Sequence, residues 1–124
     1  MTTPPQYTQL MPYIMVRTAP GFLDFTKKVF VATEQLIVPR PDGSVMHGEL
    51  RIGSAVIMFS DANEDYKETP CSLCLLVEDA KATYNKGLQN GATSVQEPQD
   101  KEYGMSGGFL DKFGITWWLI EGIK

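Results

Sequence analysis

The alternation of apolar and polar residues predicts a short series of secondary-structure elements in the first half of the chain. PYIMVR alternates as a half-buried strand does, and the apolar positions of APGFLDFTKKVFVA recur at helical spacing after Pro20, a residue suited to a helix start. EQLIVPR predicts a second strand. VMHGELRIGSAVIMFSDA then predicts a hairpin that turns at Gly53 and Ser54.

The second half of the chain predicts the same series again. CSLCLLVED has the pattern of a strand, and DAKATYNKGLQNGA that of a helix with Asp79 as its N-cap and Gly91 at its end. TSVQEP predicts a short strand, and YGMSGGFLDKFGITWWLIEG predicts a hairpin with a longer turn around DKFG. The order of elements is therefore β-α-β-β-β, twice.

The repeat is visible in individual residues sixty positions apart, and such repetition indicates a repeated architecture. Ala32-Thr33 recurs as Ala92-Thr93, Gly48 and Leu50 recur as Gly108 and Leu110, and Ile57-Met58-Phe59 recurs as Trp117-Trp118-Leu119. We therefore predict an α+β fold in one domain, residues 1–124, made of two tandem βαβββ modules at about 9–62 and about 70–122. The predicted sheets are curved into a trough, with the helices on the outer face.

Strand alternation assigns the first hairpin's side chains to two faces. Met46 and Leu50 lie on the apolar face, which is predicted to pack under the helix. Val45, His47 and Glu49 take the opposite face, which is predicted to line the trough. The histidine and its neighbouring carboxylate are thereby expected on an open surface rather than in the core.

The last hairpin is assigned to faces by the same rule. Leu110, Trp117 and Leu119 are predicted to pack under the second helix, and Phe109 and Trp118 to face the trough. The whole predicted lining is Met11, Tyr13, Met15, His47, Glu49, Met58, Ser60, Ser72, Cys74, Phe109 and Trp118, with Tyr103 as a loop residue that closes over a ligand. A lining of thioether and aromatic groups with few polar ones is typical of a small-molecule pocket.

Composition and charge narrow the range of partners. The chain has 124 residues, 43% of them hydrophobic, and a net charge of −4 with a pI of about 4.9. It has no basic stripe, so we expect neither nucleic acid nor a membrane surface as a partner. No apolar run is long enough for a spanning helix, and MTTPPQYTQL lacks the features of a signal peptide, so a cytoplasmic location is expected.

Two residue pairs carry candidate chemistry. His47 and Glu49 are weak candidates for catalysis, as a general base oriented by a carboxylate, and equally for a ligand contact or a structural pair. They supply two metal ligands, whereas catalytic zinc sites use three protein ligands. Cys71 and Cys74 form a C-x-x-C, but three residues apart on a strand they point to opposite faces, so Cys74 is predicted to be a lining residue. We predict no metal and no cofactor.

The order and spacing of four segments resemble the vicinal oxygen chelate superfamily, which includes glyoxalase I, bleomycin-resistance proteins and extradiol dioxygenases. The segments are PYIMVRTAPGFLDFTKKVFVATE, MHGELRIGSAVIMFSDA, YNKGLQNGATSVQEPQDKEYG and SGGFLDKFGITWWL. Within it, the chain most resembles small bacterial glyoxalase-like proteins named after a phosphonate-operon member. The resemblance implies paired βαβββ modules, homodimers, and metal ligands at the positions of Met11, Ser72 and Trp118. Those three residues are not ligands that such metals prefer.

These observations lead to one functional hypothesis and two alternatives. The first is a metal-independent protein that binds a small apolar or aromatic molecule in the sheet trough, with drug sequestration as one form of this. The alternative is a metal-dependent lyase or isomerase of the glyoxalase type, with His47 and Glu49 at a displaced metal site. The third is a structural or interaction module whose trough is filled by its own side chains.

Overall fold

The computed structural model describes residues 1–122, and these form the predicted order of elements. The elements are β1 (Tyr13–Val16), α1 (Ala19–Phe30), β2 (Thr33–Pro39), β3 (Val45–Ile52), β4 (Ala55–Asp61), β5 (Cys71–Val77), α2 (Ala80–Gln89), β6 (Thr93–Lys101), β7 (Gly104–Leu110) and β8 (Ile115–Glu121). They divide into two compact units, Met1–Thr69 and the part of the chain from Pro70 onward. Each unit is a βαβββ module, so the predicted α+β fold of two tandem modules is confirmed.

The first unit is a four-stranded sheet with α1 packed on one face. Its strand order is β1-β4-β3-β2, with β1 parallel to β4 and the other neighbours antiparallel. The core contains Ile14, Phe22, Leu50 and Phe59, none of which is more than 2% exposed. The sheet's other face carries Glu49, which lies opposite Met58 as the strand pattern predicts.

The second unit repeats this arrangement with the strand order β5-β8-β7-β6. Phe109, Trp117 and Leu119 form the centre of its core at 1% exposure or less. Asp79 caps α2 by accepting a hydrogen bond from the Ala82 N–H at 3.0 Å, as predicted. Gly91 lies just past the helix end with a φ of +98°, a conformation that glycine adopts readily.

A carboxylate at the end of each module's last strand binds the start of that module's helix. Asp61 Oδ1 accepts the Ala19 N–H of α1 at 2.7 Å, and Asp61 Oδ2 accepts the Val45 N–H at 2.7 Å. Glu121 Oε1 accepts the Ala80 N–H of α2 at 3.2 Å. These carboxylates satisfy backbone donors that a helix start leaves without intrahelical partners.

The α1 helix ends at a residue that is unusual for its backbone conformation. Val31 is the C-cap and has φ 57° and ψ 38°, in the left-handed region, with its side chain 76% exposed. A β-branched residue is disfavoured there, and glycine is the common choice. The helix nevertheless ends in the left-handed conformation, with the Val31 N–H bonded to the Thr26 carbonyl.

The face assignment of Val45 and Met46 is wrong, because β3 contains an irregularity next to β2. Val38 pairs with His47 and Pro39 pairs with Val45, so Met46 is the extra residue of a bulge. The bulge reverses the side-chain alternation before His47. Val45 is therefore buried at 6% exposure, and Met46 is 49% exposed instead of lying beneath α1.

The assignment of Phe109 and Leu110 is also wrong, and the two residues exchange faces. Phe109 pairs with the buried Trp117, whereas Leu110 pairs with Thr116. Phe109 is fully buried against α2, where a Cβ on Gly87 would come within 2.3 Å of its ring, and Leu110 is 40% exposed. Phe109 is thus a core residue and not a lining residue.

Among residues 1–122, no helix is both long enough and apolar enough to cross a lipid bilayer.

Candidate functional site

The open face of the first unit carries a hydrogen-bond network centred on Glu49. Glu49 is 2% exposed, and its Oε2 lies 2.8 Å from His47 Nε2 and accepts the Tyr7 hydroxyl at 2.9 Å. Its Oε1 accepts the Gln35 amide at 3.0 Å. On the other side of the imidazole, His47 Nδ1 lies 3.0 Å from the Tyr13 hydroxyl. The predicted His47–Glu49 pair therefore exists, within a longer chain of polar groups.

The segment before β1 covers this network and is hydrogen-bonded to the sheet, in part through the Gln6 carbonyl. Gln6 O accepts hydrogen bonds from Arg51 Nη2 at 2.8 Å and from Gln35 Nε2 at 3.1 Å. Tyr7 follows directly and reaches Glu49. The sequence pattern could not predict these contacts, because Gln6 and Tyr7 lie outside any regular element.

The donor and acceptor roles in the network follow from the carboxylate. An ionised carboxylate only accepts, so the proton shared between Glu49 and His47 is assigned to Nε2. In the neutral imidazole, Nδ1 is then an acceptor, and the Tyr13 hydroxyl donates to it. The Glu49 carboxylate, the His47 imidazole and the Tyr13 hydroxyl are therefore joined by hydrogen bonds in series. This series ends at Tyr13, whose side chain is half-exposed.

The network changes the pKa values of two of its members. Burial alone raises the pKa of Glu49, but the hydrogen bonds from His47, Gln35 and Tyr7 outweigh it and hold that pKa below its ordinary value. The hydrogen bond to the Glu49 carboxylate raises the pKa of the Tyr7 phenol. Glu49 is therefore a carboxylate at neutral pH and depends on its three partners.

We expect Glu49→Gln to lower the free energy of unfolding at pH 7 by about 2 kcal/mol. The variant loses charge-assisted hydrogen bonds, and the NH₂ group of its amide faces side chains that also donate. The pKa of Glu49 is lower in the folded protein than in the unfolded chain. Its stabilising contribution is therefore complete above the ordinary glutamate range and is lost as the pH falls through the folded pKa. Urea unfolding at several pH values should show the deficit of the variant shrinking as the pH falls below the ordinary glutamate range.

The matched control for this prediction is Glu34→Gln. Glu34 is a half-exposed residue of β2 whose Oε1 lies 3.8 Å from Lys27 Nζ. Exposed ion pairs of this kind contribute little, so this variant should change the free energy of unfolding by less than about 0.5 kcal/mol. A deficit of Glu49→Gln that does not vary with pH would contradict the expected ionisation of Glu49.

A cavity of about 500 Å³ opens beside this network, and all its lining residues belong to the first unit. Tyr13, Met15 and Ser60 line it, as the strand pattern predicts. Sequence reasoning missed four other lining residues: Arg40, Met46, Asn63 and Tyr66. Met46 reaches the cavity because of the bulge in β3, and the other three lie in the segments that follow β2 and β4.

The placement of Tyr66 depends on a turn that asparagine forms. The side-chain carbonyl of Asn63 accepts the Tyr66 N–H at 2.7 Å and the Asp65 N–H at 3.0 Å, and its backbone N–H binds Tyr66 O at 2.8 Å. Asparagine promotes such turns through its side chain. The Asn-Glu-Asp-Tyr sequence was therefore a usable signal for a turn that places an aromatic ring at the cavity.

Arg40 gives this cavity its charge. Its Nη1 donates to Ser44 Oγ at 3.1 Å, and Asp42 accepts from the same hydroxyl at 2.6 Å. Hydrogen bonds from the Ser44 side chain and backbone lower the pKa of Asp42, with a smaller contribution from Arg40. Asp42 is outside the lining, so the cavity presents a guanidinium and no carboxylate.

Four further predicted lining residues of the first unit lie outside the wall of this cavity. His47 contacts Tyr13, which is in the wall, and Glu49 lies behind His47. Met58 is half-buried on β4 between Tyr13 and Glu49 in the sheet register. Met11 is half-buried and precedes β1.

The second unit has its own cavity of about 330 Å³ on the open face of its sheet. Three of the predicted residues line it: Cys74, Tyr103 and Trp118. Gln96, Ser106 and Ile120 are further lining residues that sequence reasoning missed. The predicted Ser72 is exposed on β5 outside this lining, and Phe109 lies on the opposite face against α2.

The three positions at which the resemblance implies metal ligands carry residues that divalent metals do not favour. Met11 offers a thioether and Ser72 a hydroxyl, and the indole N–H of Trp118 is a donor only. Within residues 1–122, no group of three or more His, Cys, Asp or Glu side chains is positioned to hold a metal ion. These residues do not fit a divalent metal, so we derive no chemistry through one.

Comparisons with known proteins agree with the architecture. A family model described as Glyoxalase/Bleomycin resistance protein/Dioxygenase superfamily matches residues 7–119. An uncharacterized protein of Mycobacterium bovis is 32% identical over 127 residues, which cover 93% of this chain and 84% of that protein.

Solved structures with the same fold include TioX from Micromonospora sp. ML1, with a TM-score of 0.78 at 21% identity and with 94% of this chain and 99% of that chain covered. They also include TnmS3, an antibiotic binding protein from Streptomyces sp. CB03234, with a TM-score of 0.72 at 14% identity and with 94% and 100% covered. At these identities the two structures establish the fold alone.

Proposed function

Because the chain belongs to the glyoxalase/bleomycin resistance protein/dioxygenase superfamily, we propose that it is a metal-independent binding protein for a small aromatic molecule. The proposed site is the first unit's cavity of about 500 Å³, a volume within the range of small-molecule pockets. The observation that carries the proposal is its wall of two methionine and two tyrosine side chains: Met15, Met46, Tyr13 and Tyr66.

The chemistry of this wall favours a ligand with an aromatic ring and an acidic group. Thioether and aromatic side chains adapt to flat apolar surfaces, since they are polarizable and carry few polar atoms. Arg40 adds a guanidinium, which pairs well with carboxylate or sulfonate groups. When the His47 imidazole is neutral, the Tyr13 hydroxyl donates a hydrogen bond to Nδ1, so its oxygen lone pairs remain for a ligand.

Drug sequestration is the form of this function that we propose. TnmS3, which shares the fold, is described as an antibiotic binding protein, and this supports the proposal without establishing it at 14% identity. The metal-dependent lyase or isomerase is the weaker alternative, because Met11, Ser72 and Trp118 do not fit a divalent metal. Homodimer formation and kinship to the phosphonate-operon subgroup also remain proposals, and light scattering of the purified protein tests the first of these.

We expect anilinonaphthalene sulfonate, an anionic aromatic fluorophore, to bind the first unit's cavity. Met46→Glu should weaken this binding at least about tenfold, because it places a carboxylate among apolar groups beside the anion. Arg40→Met should weaken it less, about threefold to tenfold, by removing the ion pair between the half-buried guanidinium and the sulfonate. Fluorescence titration measures all three dissociation constants.

The matched control is Leu36→Glu, which adds the same charge to the same unit. Leu36 is 41% exposed, similar to Met46 at 49%, and lies outside the cavity lining. Its variant should bind the fluorophore as the native protein does. Equal weakening by both glutamates would show a general charge effect and would contradict the assignment of the cavity.

Thermal-shift screening of aromatic antibiotics then tests sequestration, and no stabilisation by any of them would count against it.

A further inference from the structure

We propose that the second unit carries a separate binding site for an uncharged, planar ring compound with a hydroxyl or carbonyl group. The site is the cavity of about 330 Å³ on the open face of the sheet formed by β5 to β8. Its lining is contained in this unit, so the proposal does not depend on the cavity that contains Arg40.

The observation that carries the proposal is a buried hydroxyl without a partner. Ser106 is 5% exposed, and within residues 1–122 its Oγ makes no hydrogen bond. In the register of β7 and β8, Ser106 pairs with Ile120 and Gly108 pairs with Trp118. The two pairs are two residues apart on each strand, so Ser106 and Trp118 lie on the same face of the sheet. Native proteins rarely leave a buried hydroxyl unsatisfied, since its desolvation is then not compensated. A polar group of a bound ligand would supply the missing partner.

The walls around Ser106 favour a flat ring. Trp118 is half-buried, and its ring lies over Gly108, where a Cβ would come within 2.7 Å of it. Tyr103 is 62% exposed and adds a second aromatic side chain to the lining. Aromatic rings prefer offset or edge-to-face contacts with other rings, so two such walls select planar compounds.

The polar groups of this lining select against charge. The eight lining residues include no Asp, Glu, Lys, Arg or His, and the polar side chains among them are Cys74, Gln96, Tyr103 and Ser106. The Gln96 amide donates to the Ser106 backbone carbonyl at 3.5 Å, which holds it near the hydroxyl. A charged ligand would lose its hydration here without an opposite charge, whereas a hydroxyl or carbonyl requires one hydrogen bond.

The experiment uses naphthol and naphthalene as probes of equal ring size, one with and one without a hydroxyl. The background is Cys71→Ser, which leaves Cys74 as the reporter thiol in the cavity wall. Binding is read as slower reaction of Cys74 with a chromogenic disulfide reagent, and dissociation constants come from equilibrium dialysis. We expect naphthol to bind about tenfold more tightly than naphthalene, the effect of one hydrogen bond.

Ser106→Ala should remove this difference between the probes without lowering the melting temperature, because the lost hydroxyl has no partner in the free protein. The matched control is Ser94→Ala on β6, where the Ser94 hydroxyl accepts the Tyr84 hydroxyl at 2.6 Å. This variant should lower the melting temperature and keep the preference for naphthol.

Several results would overturn the proposal. These are equal binding of the two probes to the Cys71→Ser protein, an unchanged preference in Ser106→Ala, and a melting temperature that Ser106→Ala lowers as much as Ser94→Ala. Met46→Glu separates the two cavities: it should weaken binding of the anionic fluorophore and leave the protection of Cys74 by naphthol unchanged. Loss of that protection in Met46→Glu would contradict an independent second site.

Discussion

Phe109→Ala is expected to lower the free energy of unfolding by about 4 kcal/mol, whereas Leu110→Ala should lower it by less than about 1 kcal/mol. Phe109 is fully buried against Gly87 of α2, so truncation removes a packed ring and leaves a cavity. Leu110 is 40% exposed, and much of its surface is already in water. Urea denaturation monitored by circular dichroism measures both values.

Phe109→Leu provides a milder variant if the alanine variant does not fold. It should cost about 1–2 kcal/mol, because part of the packing volume is retained. Leu110→Ala remains the control, since it is the neighbouring residue on the other face of the same strand. A larger loss at Leu110 than at Phe109 would place Leu110 in the core and contradict the observed strand register.

Phe109 and Leu110 lie on the opposite sheet faces from those that the sequence repeat predicts. The repeat therefore predicts side-chain orientation correctly for some strands and not for others. The sixty-residue spacing is valid for β8, because Trp117 and Leu119 are buried as Ile57 and Phe59 are. It fails for β7, because the connection Asp111–Gly114 is longer than the Gly53–Ser54 turn and shifts the strand by one residue. A shift of one residue moves every side chain of a strand to the other face.

A signal for the correct register was present in the second helix. Gly87 lies inside α2, where glycine costs about 1 kcal/mol relative to alanine. Its missing side chain makes room for the Phe109 ring. In the first unit the corresponding space is on the strand, where Gly48 makes room for Phe59. The two modules thus fill their cores by different routes, which a search for matching residues does not detect.

The second large effect is expected for Asp111→Ala, which should lower the free energy of unfolding by about 3 kcal/mol or more. Asp111 is 5% exposed in the connection between β7 and β8. Its carboxylate accepts the N–H groups of Phe113 at 2.8 Å and Ile115 at 2.9 Å, and the Trp117 indole N–H at 2.8 Å. Burial raises the pKa of Asp111, and these donors offset part of that effect. Removal of the carboxylate leaves buried donors without their acceptor.

Asp42→Ala is the matched control for this variant. Asp42 also organises a turn, since its carboxylate accepts the Ser44 N–H at 2.9 Å and the Ser44 hydroxyl at 2.6 Å, but it is exposed to water. Water can replace its hydrogen bonds, so its variant should lose far less stability than Asp111→Ala. Chemical denaturation of both variants tests the comparison, and similar losses would show that burial of Asp111 is not what makes it important.

The candidate site was predictable where it depends on strand alternation and unpredictable where it depends on irregular backbone. Alternation is enough to place His47 and Glu49 on one face and Tyr13 and Met15 on the matching face of β1. It cannot place Tyr7, which reaches Glu49 from a segment without regular structure. Arg40 and Tyr66 likewise lie in segments between strands, where position depends on turns rather than on a repeating pattern.

The carboxylates at the ends of β4 and β8 have a consequence for the evolutionary history of the fold. Asp61 and Glu121 each bind the start of a helix to the last strand of the same module. The attachment of each helix therefore depends on residues of its own half of the chain. If the halves descend from a duplicated gene segment, these hydrogen bonds hold each helix without using the open face of its sheet. The residues of the two open faces can then change independently. The guanidinium beside one cavity and the uncharged hydroxyl beside the other are the kind of divergence that such an ancestry permits.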